Sequence, residues 1–102
     1  MLEIKKEIQE VNKKIDELVE LFYQQKNEEA YGKLNIALAD FIYIIEMIQK
    51  QGDEKAQENA GDLNDALKQA LEAMEQKDNI LLADILKYEV MEKLEDLSAG
   101  NN

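Results

Sequence analysis

Carboxylates spaced to share one helix face come closest to chemistry in this chain. The pairs are Glu17 with Glu20, Asp62 with Asp65, Glu89 with Glu92, and Glu92 with Glu95 or Asp96. Side chains three or four residues apart meet on a helix. Clustered oxygen donors hold a hard cation, as a magnesium-dependent, all-helical nucleotide pyrophosphohydrolase requires. With 23 acidic residues, however, such spacings recur by chance, and Glu17 and Glu20 stand off the apolar seam of their segment. Asp62-Leu63-Asn64-Asp65 lacks the later glycine and bidentate glutamate of a calcium loop. These acids read as solvated faces.

The other reactive types are missing. The chain has no His, Cys, Arg, Thr, Trp or Pro, and its one serine is Ser98. General acid–base work most often uses His, and covalent catalysis an activated Ser, Cys or Lys beside a base. A di-iron bundle needs Glu-x-x-His pairs, and bidentate anion clamps need Arg. The four glycines, Gly32, Gly52, Gly61 and Gly100, are scattered singly, so no phosphate loop forms. Lys5, Lys6, Lys13 and Lys14 lie among Glu and Asp and read as i,i+4 partners on an exposed surface. No enzyme, metal site or cofactor is expected.

Charge narrows the partners. Twelve Lys against 23 acids give −11; residues 1–50 carry −3 and residues 51–102 carry −8. Such a polyanion repels nucleic acid and anionic membrane surfaces and favours a basic partner. The start of the chain has no apolar core behind basic residues, so no signal peptide is read. The longest apolar stretch, residues 41–45, is too short to span a bilayer. Absence of Cys fits a reducing compartment, and the cytoplasm is the expected location.

Four helical segments must position whatever site exists. In residues 2–24, Ile4, Ile8, Val11, Ile15, Leu18 and Phe22 alternate in steps of four and three, a narrow coiled-coil-like seam. The second segment opens at Asn27, read as its cap. It carries Tyr31, Leu34, Leu38, Phe41, Ile45 and Ile48 on one stripe, runs through Gly32, and stops at Gly52. The third starts at Asp53 or Asp62 and carries Ala60, Leu63, Leu67, Ala70 and Met74. After a turn at Lys77-Asp78-Asn79, the fourth carries Ala83, Leu86, Val90, Leu94 and Leu97 and ends near Ser98-Ala99-Gly100, with Asn101-Asn102 frayed. Short connections between long helices predict an all-α, antiparallel four-helix up-down bundle forming a single domain over residues 1–102.

Two further faces carry the functional expectation. Ile36, Asp40, Tyr43 and Met47 form a second stripe on the second helix, flanked by Ala37, Ile42 and Ile44. A helix apolar nearly all round is either central or meets another subunit or a partner. Leu81, Ile85 and Tyr88, with Asp84 adjacent, form a second face on the fourth helix. These eight residues are the candidate interaction surface. The implied partners are a second copy of the chain, giving a homodimer, or a basic or amphipathic-helical protein.

Asn27-Glu28-Glu29-Ala30-Tyr31 and the run from Asn79 through Leu81-Leu82-Ala83-Asp84-Ile85-Leu86-Lys87-Tyr88-Glu89 carry a resemblance. Over residues 27–97 the chain resembles small acidic all-helical bacterial proteins of unknown function, in which a Glu-Glu-Ala-Tyr helix precedes a Leu-Leu-Ala-Asp-x-Leu-x-Tyr-Glu helix. The resemblance implies an all-α fold and assigns no site residues. The expected function is that of a non-catalytic adaptor or chaperone-like interaction module.

Overall fold

A computed structural model describes the backbone of residues 2–100 and the side chains of residues 4–50 and 52–98. Asn101 and Asn102, expected to fray, lie outside the described residues. The chain is all-helical, with no strand among the described residues. Its elements are α1 (Leu2–Tyr23), α2 (Asn27–Gln51), α3 (Glu54–Glu75), α4 (Asn79–Ile85), a π-helical stretch (Leu86–Val90) and α5 (Met91–Gly100). The last three run on as one rod over residues 79–100, so the described residues form four helical rods. α1 packs along α2 and also against the fourth rod, which in turn lies on α3.

The α1 seam is buried residue for residue; Val19 is buried beside it and Leu21 packs half-buried against the core. On α2 the buried line is Ala30, Leu34, Ala37, Phe41, Ile44 and Ile48, whereas Tyr31, Leu38 and Ile45 are half-buried beside it. The expected stripe is therefore rotated: Ala37 and Ile44, read as flanks, sit in the core. α2 is not central, since its other side lies open.

Helix ends correct two readings. Asn27 is not the cap of α2; Lys26 precedes the helix without a side-chain cap, and the Asn27 Oδ1 is buried with no hydrogen-bond partner. α3 begins after Asp53, whose carboxylate accepts from the Ala56 N–H at 2.8 Å. Asp62 is mid-helix, because Gly61 lies on an exposed side where it disturbs no packing. Asp78 caps α4, accepting from the Leu81 N–H at 3.0 Å. Gly52 does end α2, but with φ −77°, so no left-handed turn is involved.

The α1–α2 and α3–α4 turns use the same device. Gln25 (φ 63°) and Lys77 (φ 58°) are left-handed. The Gln25 and Lys26 N–H groups donate to the Phe22 and Leu21 carbonyls, and the Lys77 and Asp78 N–H groups to those of Met74 and Ala73. These are Schellman closures, which favour glycine at the left-handed position because it has no Cβ. Gln25→Gly and Lys77→Gly should each therefore raise stability by about 0.5–1 kcal/mol. Thermal melts check the prediction; a lowered midpoint would contradict it.

The π-helical stretch has a sequence cause. In the fourth rod Leu82, Leu86, Val90 and Leu94 are all buried, three successive steps of four. Those steps cover about one residue more than three α-turns. One inserted π turn absorbs the surplus and keeps the four side chains on a single face.

Candidate functional site

α3 and the fourth rod flank an open cleft. Its volume is about 630 Å³, and it is lined by Gln69, Glu72, Ala73 and Gln76 from α3, and by Leu81, Asp84, Ile85, Tyr88 and Glu89 from the fourth rod. All four residues singled out on the fourth helix (Leu81, Asp84, Ile85 and Tyr88) come together here. Leu81 and Tyr88 are 41% and 61% exposed, so the chain leaves them uncovered, while Ile85 is half-buried against the core. Tyr88 and Glu89 belong to the π-helical stretch, a feature that recurs at functional sites in helical proteins. The Lys87 ammonium lies over the Tyr88 ring, 5.6 Å from its centroid.

Asp84 is held from outside the cleft. The Tyr23 hydroxyl, at the end of α1, donates to the Asp84 carboxylate at 2.5 Å. That bond pushes the Tyr23 pKa up to about 12, because ionisation would set a phenolate against a carboxylate; burial adds to it. Folding is thus favoured while Tyr23 is protonated. Its contribution is complete below the ordinary tyrosine value near 10 and is lost as pH rises towards 12. Melting-midpoint profiles should show Tyr23→Phe falling less steeply than the parent across that window. Parallel profiles would contradict the link.

The α2 residues occupy a different place. Ile36, Ile42 and Tyr43 are 60%, 59% and 47% exposed, whereas Met47 packs half-buried against the core. Asp40, which needed a partner, has one: the Lys14 ammonium at 2.7 Å. Lys14 therefore bridges α1 and α2 as well as standing one turn from Glu10, and its pKa is raised, chiefly by the Asp40 hydrogen bond. Ile36 lines a small hollow of about 170 Å³ with Lys14, Glu17 and Lys33. The lining of the α3 cleft includes none of Ile36, Asp40, Tyr43 and Met47.

Several contributors had no sequence signal. Nothing in the spacing told which acids of the second half face the cleft, and Glu72 is one that does. A shallower opening of about 220 Å³, lined by Asp62, Asp65, Ala66, Gln69, Glu89 and Lys93, continues past Gln69 and Glu89, which both openings share. Asp62 and Asp65 thus face the groove together. Even so, among the described residues no three carboxylates converge closely enough to hold a metal ion.

An all-helical chain with an acid-rimmed, partly apolar groove defines a small helical-bundle domain. It belongs to the family described as a domain of unknown function, DUF8042, whose model matches residues 1–100. No curated protein and no solved structure matches it. No helix is long and apolar enough, among the described residues, to cross a membrane.

Proposed function

We propose that the chain is a non-catalytic protein-interaction module, an adaptor or chaperone-like bundle that receives a partner helix and also pairs with a second copy of itself. One observation carries this: Leu81 and Tyr88 in the cleft, and Ile36, Ile42 and Tyr43 on α2, stay in solvent although no polar residue is buried among the described ones. Clustered exposed apolar residues mark contact surfaces.

The four rods are assigned an antiparallel up-down order. In its support, Lys14 pairs with Asp40, Glu17 with Lys33 and Phe22 with Tyr31, so partner numbers on α2 fall as those on α1 rise. Residues near both turns also line one hollow, which supports the same order.

Self-association uses the outer α2 seam. Gly32, Ile36, Ala39 and Tyr43 are exposed at steps of four, three and four, and nothing lies within 4 Å of where a Gly32 Cβ would stand. Small residues in such a seam admit a second helix closely, and the shared charge of −11 makes pairing tighter as salt rises. Sedimentation equilibrium should give twice 11.7 kDa for the parent and 11.7 kDa for Tyr43→Lys. A parent of monomer mass at every concentration would remove the dimer.

A further inference from the structure

We infer that the groove between α3 and the fourth rod takes one occupant, a cationic amphipathic helix of about four turns; the inference rests on the interaction-module function proposed above and names its partner.

Three features of the groove lead there. Its apolar wall is Leu81, Ile85 and Tyr88, at steps of four and three along one helix, the spacing that meshes with the i, i+3/i+4, i+7 anchors of a second helix. Its rim is acidic: Glu72, Asp84 and Glu89 line the wider opening with no lysine among its lining residues. Along the shallower continuation, Asp62 and Asp65 outnumber Lys93. Lys87 contributes its charge over the Tyr88 ring, outside that lining. Acidic surface of this kind attracts a basic partner and speeds its encounter.

The walls also select the occupant's backbone. Both are helices whose N–H and C=O groups are already paired along the rods, so they present no strand edge for an extended peptide to extend. A partner must satisfy its own backbone, which a helix does. From Asp62 to Gln76 the α3 wall spans about 21 Å, the length of roughly fourteen helical residues. The occupant therefore has an apolar stripe that meets Leu81, Ile85 and Tyr88, and lysine or arginine on the flanks of that stripe.

The test uses two synthetic helical peptides of about sixteen residues, one built from Leu, Ala and Lys and the other with Glu for every Lys. Fluorescence anisotropy follows their binding to the full chain. The Lys peptide should bind, weakening with salt, and the Glu peptide should not. Glu72→Lys with Glu89→Lys should weaken the Lys peptide at least tenfold. Glu10→Lys with Glu46→Lys, an equal charge change on exposed positions of α1 and α2, should change it less than threefold. Tyr88→Ser should also weaken it, with circular dichroism confirming that each variant stays helical.

Equal weakening by the two double variants would overturn the inference, since only net charge would then matter. So would failure of the Lys peptide to bind. Equal binding of both peptides, lost in Tyr88→Ser, would overturn the cationic partner while leaving the cleft as a docking site. Loss of the α2 dimer, read separately by sedimentation, bears on self-association alone.

Discussion

Phe22→Ala should lower the free energy of unfolding by about 3–5 kcal/mol, a large share of the 5–15 kcal/mol that a domain of this size commands. Phe22 is wholly buried in the last turn of α1. Its ring meets that of Tyr31 edge-on, with centroids 5.0 Å apart and planes at 84°. The Tyr31 hydroxyl donates in turn to the Asn79 side chain at the start of α4. Phe22 and Tyr31 together therefore link α1, α2 and the fourth rod beside the hollow that residues of both turns line. Truncation removes the buried aromatic area and leaves a void that three elements must close at once. Urea titration should show the midpoint falling with an unchanged slope. A loss under 1 kcal/mol would mean that this end of the molecule repacks freely.

Gly52→Ala should cost about 1–3 kcal/mol, whereas the same change at Gly61 should stabilise by up to about 1 kcal/mol. At Gly52 a Cβ would stand 2.6 Å from the Ile48 carbonyl oxygen and 3.1 Å from the Ala56 Cβ. The obstructing oxygen is backbone at the end of α2, and the Gly52 N–H donates to it at 2.8 Å. Relief would require the α2–α3 junction to open. At Gly61 nothing lies within 4 Å of the added methyl, so only the helix propensity of alanine is felt. Calorimetric midpoints moving in opposite directions are the expected result, and a fall at both positions would contradict it.

Legibility of the fold followed contrast along the chain. The α1 seam could be read outright because Lys, Glu, Asp, Asn and Gln occupy most positions between its apolar residues. α2 offered no such contrast. With Ala37 beside Leu38 and Ile44 beside Ile45, spacing alone left two adjacent apolar lines, and the core took the one through Ala37 and Ile44. The start of α3 was ambiguous because a glycine just before an aspartate imitates a helix boundary; Asp53 prevailed through its bond to Ala56. The π-helical stretch was visible only once Leu82 joined Leu86, Val90 and Leu94 on the buried face.

Half of the cleft was legible for a similar reason. Leu81, Asp84, Ile85 and Tyr88 follow helical spacing, so they had to project together from one rod. The opposing wall depends on how α3 is rotated against that rod, which local spacing does not encode. Glu72 and Gln76 accordingly gave no signal. Nor did the Tyr23–Asp84 bond, whose partners are 61 residues apart.

Occupancy of the groove is most directly read by mapping amide chemical shifts of the labelled protein during titration with the Leu/Lys peptide. Shifts should concentrate at Glu72, Ala73, Leu81, Ile85 and Tyr88, with Glu10, Lys13 and Asp16 on the far side of α1 unmoved. Perturbations spread evenly over the acidic surface, or gathered on α2 with the cleft silent, would contradict a docking role for the α3 groove.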